Sequence, residues 1–231
     1  FLLSHVHAMI AKFAAERDWA YLCGICLMWM GYLRCSEMLS LSRSDLSFIE
    51  NPNGSHDLII SLRSSKVSKR RHDSILVSAS RHGSMILLLQ DALSKLELEK
   101  LRGRTPTERL RDRISHRPII DHNYNKFRTN LNKKLDYFGL SLNDLKKDSK
   151  LRPTLQGLQF SSHSFRRGQA TFAAMHDKLE ISKILLEGRW KSVDSFRRYL
   201  TQSLAILVAV DVGNDKLVEY SNLGSATLKK Y

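Results

Sequence analysis

Apolar positions change their spacing twice along this chain, dividing it into a helical stretch, a sheet-forming stretch and a second helical stretch. Residues 5–16 (HVHAMIAKFAAE) put apolar side chains at helical intervals. Residues 18–32 (DWAYLCGICLMWMGY) are apolar on nearly every side, as a fully buried helix is. A short further helix begins over 36–41. The period then shortens, and 46–49, 57–63 and 74–78 read as β-prone runs. Asn51-Pro52-Asn53-Gly54 supplies a turn between the first two. The basic stretch 64–72 joins the second to the third, with Lys66, Lys69, Arg70 and Arg71 crowding a hairpin tip. Helical spacing returns over 84–101, where Leu87, Leu88, Leu89, Leu93 and Leu96 form the apolar face.

Residues 102–117 (RGRTPTERLRDRISHR) are basic and polar, an exposed connection. A helix is predicted over 122–138, closed by Gly139. Residues 141–160 read as loop, with Lys146, Lys147 and Lys150 clustered. Helices follow at about 164–176, 179–187, 193–200 and 203–211, and the residues beyond carry no assignable feature. There is no internal repeat. The outline is α-rich with one small sheet.

Charge narrows the partners. Lys and Arg number 37 against 23 acids, a formal charge of +14 on 231 residues that are 42% hydrophobic. Such an imbalance points to a polyanion or an anionic membrane. Membrane insertion is disfavoured, because the longest uncharged apolar stretch, 19–33, falls short of the ~20 residues a spanning helix needs. No secretory signal is evident, and the chain opens on Phe1 rather than Met, so a fragment of a longer intracellular protein is expected. Cys23, Cys26 and Cys35 are too few and too clustered for a secreted disulfide framework and point to a reducing compartment. Cys23-Gly-Ile-Cys26 has C-x-x-C spacing but lies inside an apolar helical run, without a second ligand pair, and reads as core.

Four remote stretches hold the residue types that a tyrosine attack on a phosphodiester needs. They are Arg34 in GYLRCSEMLSL, Lys66 in SLRSSKVSKRR, His163 and Arg166 in SSHSFRRGQAT, and Trp190 with Tyr199 in GRWKSVDSFRRYL. Two guanidiniums can grip the non-bridging oxygens of one phosphate. A phenol can act as nucleophile, and a lysine can protonate the leaving alcohol. His163 and Arg166, three apart at a helix start, share a face. Trp190 and Tyr199 are nine apart, which at ~100° per residue sets them on opposite sides of a straight helix. They can meet at one site if Gly188 ends one helix and Ser192 caps the next, with Asp194 in its first turn.

In these motifs the chain resembles the catalytic domain of the tyrosine recombinases, the family of the phage integrases. HSFRRG with GRWKS…RYL is closest to the integrase-like enzymes of eukaryotic mobile elements, the cryptons and DIRS-type retroelements. The resemblance runs from about residue 5 to 200, leaving 201–231 as a C-terminal helix and tail. It implies an α+β, mostly α-helical fold with a small antiparallel three-stranded sheet, and DNA cleavage and rejoining through a 3′-phosphotyrosyl link. Arg34 and Arg166 would clamp the scissile phosphate, and Tyr199 would attack it. Lys66, or Lys69 on the same hairpin, would protonate the departing 5′-oxygen. His163 would assist proton movement or bind the phosphate. Trp190 would offer its indole N–H while its ring packs, and Glu37 would orient the site. Lys69, Arg70, Arg71, Arg167 and Lys191 are candidate DNA contacts. Neither metal nor other cofactor is implied. The implied partners are double-stranded DNA and further copies of the chain, a tetramer on DNA, in the nucleus of a eukaryote or otherwise in the cytoplasm.

Two features depart from the family pattern. Arg189 stands between Gly188 and Trp190, where most bacterial members have Gly followed directly by His. The family's N-terminal DNA-clamping domain has no counterpart in these residues, so the chain alone would hold one side of a duplex. The apolar segment 203–210 (SLAILVAV) would dock either on a neighbouring protomer or in cis. A type IB topoisomerase and a non-catalytic DNA-binding remnant are the competing functions. The site expectation also requires that Arg34 and Arg166 not be locked into buried carboxylate pairs.

Overall fold

The computed structural model describes residues 3–62, 73–102, 117–138, 162–197 and 215–231. Helices α1 (Leu3–Ala15) and α2 (Trp19–Met30) form where the apolar spacing predicts them. Asp18 caps α2, its carboxylate accepting the Tyr21 backbone N–H at 3.4 Å. In α2 every residue from Tyr21 to Met30 is buried, which is why its sequence has no polar face. Cys23 and Cys26 are among them, free and packed as core, and burial pushes the Cys26 thiol up to about 12. The short α3 (Cys35–Leu39) follows, then a 3₁₀ turn over Arg43–Asp45.

Strands β1 (Leu46–Glu50), β2 (His56–Leu62) and β3 (Asp73–Val77) make one antiparallel sheet in the order β1-β2-β3. Register pairs Leu46 with Ile60, and Leu58 with Val77. Leu46, Leu58, Ile60, Leu62, Ile75 and Val77 are buried on one face, as the period of two requires. The Asn51–Gly54 turn closes as its residues suggest, with Asn51 N–H on the Ser55 carbonyl and Gly54 at φ 76°.

Helix α4 spans Ala79–Leu101, starting five residues before the predicted 84–101. Ser78 caps it, and His82 leaves helical geometry (φ −134°), so the first turn is kinked against the rest. Arg81 in that turn reaches Glu187 at 2.7 Å and Asp177 at 3.0 Å, partners about a hundred residues away that local periodicity cannot reveal. Helix α5 (Tyr124–Tyr137) is capped by Asn123 and ends on Phe138; Gly139, the predicted stop, lies outside the described residues. Helices α6 (Ser162–Met175) and α7 (Ile181–Gly188) come within two residues of prediction at each end. Residues 193–197 form the first turn of another helix. The predicted loop at 141–160 and helix at 203–211 lie outside the described residues.

The C-terminal residues, which the sequence left unassigned, form helix α8 (Asp215–Leu228). It lies along α1 within the same chain, and its Tyr220 ring stacks edge-on against Tyr137 and Phe138. The approach is close enough that a Cβ on Gly224 would run into the backbone carbonyl of His7. One core joins α1, α2, α4 and the sheet face, and a satellite of Tyr32, Ala170, Ala173, Ile184 and Phe196 lies where α6 and α7 meet the end of α2. Among the described residues no helix is long and apolar enough to cross a membrane.

Gly224→Ala tests the α1–α8 contact by its sign. In an uncrowded helix the change stabilises by about 0.5–1 kcal/mol; against the His7 carbonyl it should destabilise by about 1–3 kcal/mol. Urea unfolding measures the difference, and a stabilised variant would refute this packing.

Candidate functional site

The site is assembled around the end of α2, the start of α6 and the end of α7. Arg166, four residues into α6, is 1% exposed. Its Nη1 donates to the Tyr32 carbonyl and its Nη2 to the Gly188 carbonyl, so one guanidinium ties the exits of α2 and α7 together. The Trp190 ring covers it, with the guanidinium carbon 4.4 Å from the ring centroid. Trp190 is in turn held edge-on by Tyr32 at 5.8 Å and by Phe196 at 5.5 Å.

Helix α7 ends in a Schellman arrangement: Trp190 N–H reaches the Leu185 carbonyl at 2.9 Å and Arg189 N–H the Leu186 carbonyl at 3.1 Å. The predicted terminator, Gly188, is still helical, and the left-handed residue is Arg189 (φ 55°, ψ 43°). That conformation costs a non-glycine residue about 1–2 kcal/mol. Glycine is needed at 188 for another reason: the Trp190 ring lies where a Cβ would be. Ser192 caps the following turn as expected, its hydroxyl accepting the Ser195 backbone N–H at 3.2 Å.

Arg34 occupies the N-cap of α3, and its side chain is 26% exposed. Glu37, 5% exposed, takes the Arg34 backbone N–H on Oε2 and the Arg34 Nη1 on Oε1, both at 2.8 Å. Its Oε2 also accepts Arg189 Nη2 at 2.8 Å. Burial by itself raises the Glu37 carboxyl. Arg189, then the Arg34 backbone N–H and guanidinium, outweigh burial and hold it below the ordinary carboxylate value. Arg34 is therefore paired with a buried carboxylate, against expectation, but its own side chain keeps 26% exposure and is not enclosed with Glu37. Arg166 has the Tyr32 and Gly188 carbonyls among its partners.

His163 is half-buried beside this cluster. Burial pushes its pKa down, and Arg167, Arg166 and Arg34 push the same way while Glu37 pulls back. All three guanidiniums are near enough to His163 to disfavour its charged form. Arg167 is partly buried on α6, and Lys191 is exposed beyond the α7 turn. Asp73, which opens β3 where the basic hairpin ends, acts electrostatically on Arg189. Arg34, Glu37, His163, Arg166, Arg167 and Trp190 thus come together. Lys66, Lys69, Arg70, Arg71 and Tyr199 lie outside the described residues.

Sequence reasoning treated Arg189 as an insertion and missed its bond to Glu37. It also missed Arg81, whose ion pairs with Asp177 and Glu187 and contact with the Tyr32 hydroxyl at 3.4 Å brace α7 against α4. The one available signal was an arginine following Gly188, where a helix was already expected to stop.

The arrangement concentrates cations around a neutral imidazole and one shared carboxylate, a set suited to holding an anion. Comparison of the sequence with family models and with curated proteins finds no match.

The His163 environment gives a pH prediction. The imidazole should titrate below the ordinary value of about 6.5 in an NMR titration, and Arg167→Gln should move it upward. A midpoint at or above the ordinary value in the unaltered protein would contradict the clustering.

Proposed function

We propose that this chain cleaves and rejoins DNA as a tyrosine-type recombinase, with Arg34 and Arg166 on one phosphate and Tyr199 as nucleophile. The supporting observation is the convergence of three segments remote in sequence, each carrying the residue type that the motif reading assigns to it: Arg34 with Glu37, His163 with Arg166, and Trp190. A +14 chain brings that cluster to a polyanion.

The chemistry follows from the groups. The Tyr199 phenolate attacks phosphorus, the bond to the 5′-oxygen breaks, and a 3′-phosphotyrosyl ester and a 5′-hydroxyl result. Lys66 returns a proton to that oxygen, with Lys69 the alternative donor. Neutral His163 can accept a proton or donate a hydrogen bond as the phosphorane forms. Arg34 has the exposed guanidinium edge and meets the phosphate first. Arg166 is covered by the Trp190 ring and bonded to the Tyr32 and Gly188 carbonyls, so in this reading it reaches the phosphate only as that ring and those bonds give way. Fixed donors aimed at the equatorial oxygens are worth on the order of 10²–10³ in rate each. The ester conserves the bond energy, so religation requires attack by a 5′-hydroxyl and no high-energy cofactor. In this reading the subunits act as a tetramer on DNA.

The test uses nicked suicide duplexes randomised across the cleavage position, which trap the covalent adduct because the short leaving strand diffuses away. The unaltered protein should give a denaturant-resistant adduct, and Tyr199→Phe none. Equal adduct from both eliminates Tyr199 as nucleophile, and no adduct from the unaltered protein contradicts the proposal.

A further inference from the structure

We propose that Arg189 is a positioning residue for the Arg34 guanidinium, acting through the carboxylate of Glu37 that the two arginines share. The inference rests on the reading of Arg34 as a phosphate ligand. It concerns a residue that stands between Gly188 and Trp190, where most bacterial members of the resembled family have none.

Three observations carry it. The first is connectivity: Glu37 Oε1 takes Arg34 Nη1, while Oε2 takes both the Arg34 backbone N–H and Arg189 Nη2. Arg189 therefore pins the carboxylate's second oxygen, fixing its rotation and the direction in which Oε1 pulls Arg34. The second is charge. A buried carboxylate on a single guanidinium makes a neutral pair with little attraction for an anion. Two guanidiniums on that carboxylate leave a net positive charge, and the exposed one, Arg34, presents it. Arg189 is the better buried of the two, at 16% side-chain exposure against 26%. Asp73 acts electrostatically on Arg189 from the start of β3.

The third is the conformational cost. Arg189 holds the left-handed position of the α7 terminus, which glycine fills without strain. Two of its nitrogens, Nε and Nη1, are buried with no hydrogen-bond partner. A side chain kept for packing would not require this strain or these unsatisfied donors. The bond to Glu37 is what the arrangement gains.

Arg189→Gly is the informative substitution, because glycine suits the backbone and the fold should persist. Inorganic phosphate is the probe, followed by NMR shift titration of the His163 ring, with Lys133→Gln on exposed α5 as a charge-matched control. Phosphate affinity should fall about tenfold in Arg189→Gly, equivalent to one charge-assisted contact, and change by less than ~2-fold in the control. Arg189→Lys, which keeps the charge, should recover most of the loss. Combining Arg189→Gly with Glu37→Gln should also regain affinity, since removing the neutralising charge removes the need for its counterweight; a purely structural role predicts further loss. Should the double variant fail to fold, the Gly and Lys variants decide the matter. Single-turnover adduct formation by Arg189→Gly should slow by ~10–100-fold, the scale of a misplaced catalytic group.

Phosphate affinity in Arg189→Gly equal to that of the unaltered protein, or lowered no more than in the control, overturns the inference. The titration needs no DNA cleavage. Loss of phosphate affinity in a protein that forms no adduct would sink the recombinase reading and leave this one standing. Full phosphate affinity in the Gly variant of an adduct-forming protein would do the reverse.

Discussion

A guanidinium taken out of water must find oxygen atoms, and Arg166 finds them on the carbonyls of Tyr32 and Gly188. Burying such a charge costs several kcal/mol. Charge-assisted bonds return about 1.5–3 kcal/mol each, and the Trp190 ring adds up to about 2 kcal/mol when desolvated. The terms nearly cancel, so the contact specifies geometry more than it adds stability. It fixes where α2 ends relative to where α7 ends. That in turn sets Trp190 over α6 and brings Arg189 across to Glu37.

Other interactions brace the same junction. Arg81 draws the kinked first turn of α4 toward Asp177, ahead of α7, and toward Glu187, beside the Gly188 that Arg166 holds. Phe196 and Ile184 bury the outer side of the junction with Ala170 and Ala173. The result is a braced frame in which the Arg34 guanidinium keeps a partly exposed edge. Burial and the neighbouring guanidiniums both disfavour a further positive charge on His163. The cluster is thus asymmetric, with Arg34 open and Arg166 closed, and a phosphate would meet them in succession.

Much of this fold was legible in the sequence where a single physical rule governs a segment. Helix α2 is apolar all round because it is enclosed all round, and the sheet alternates because one face is covered. Legibility failed where distant partners override local preference. The first turn of α4 reads poorly as helix, with Gly83 and off-helix His82, and it is held by acids far along the chain. Helix α8 has no strong apolar stripe and depends on the face of α1, with Gly224 permitting the close approach. At the site the residue types and their order were readable, since each type has a distinct chemical task. Their pairing was not: the Arg189–Glu37 bond spans 152 positions, and no local pattern announces a left-handed arginine at the end of α7. Nor was the burial of Arg166 readable, because its partners are the carbonyls of two remote helix ends.

Whether Arg34 and Arg166 serve one phosphate is the question on which the functional account turns, and a double-mutant cycle answers it. Arg34→Lys, Arg166→Lys and the double variant would be compared by the single-turnover rate of covalent adduct formation. If both guanidiniums act on the same phosphorus centre, the combined loss should fall well short of the product of the separate losses, as for residues acting as a unit. Independent, multiplicative losses would show that the two arginines do not share a phosphate and would contradict the account.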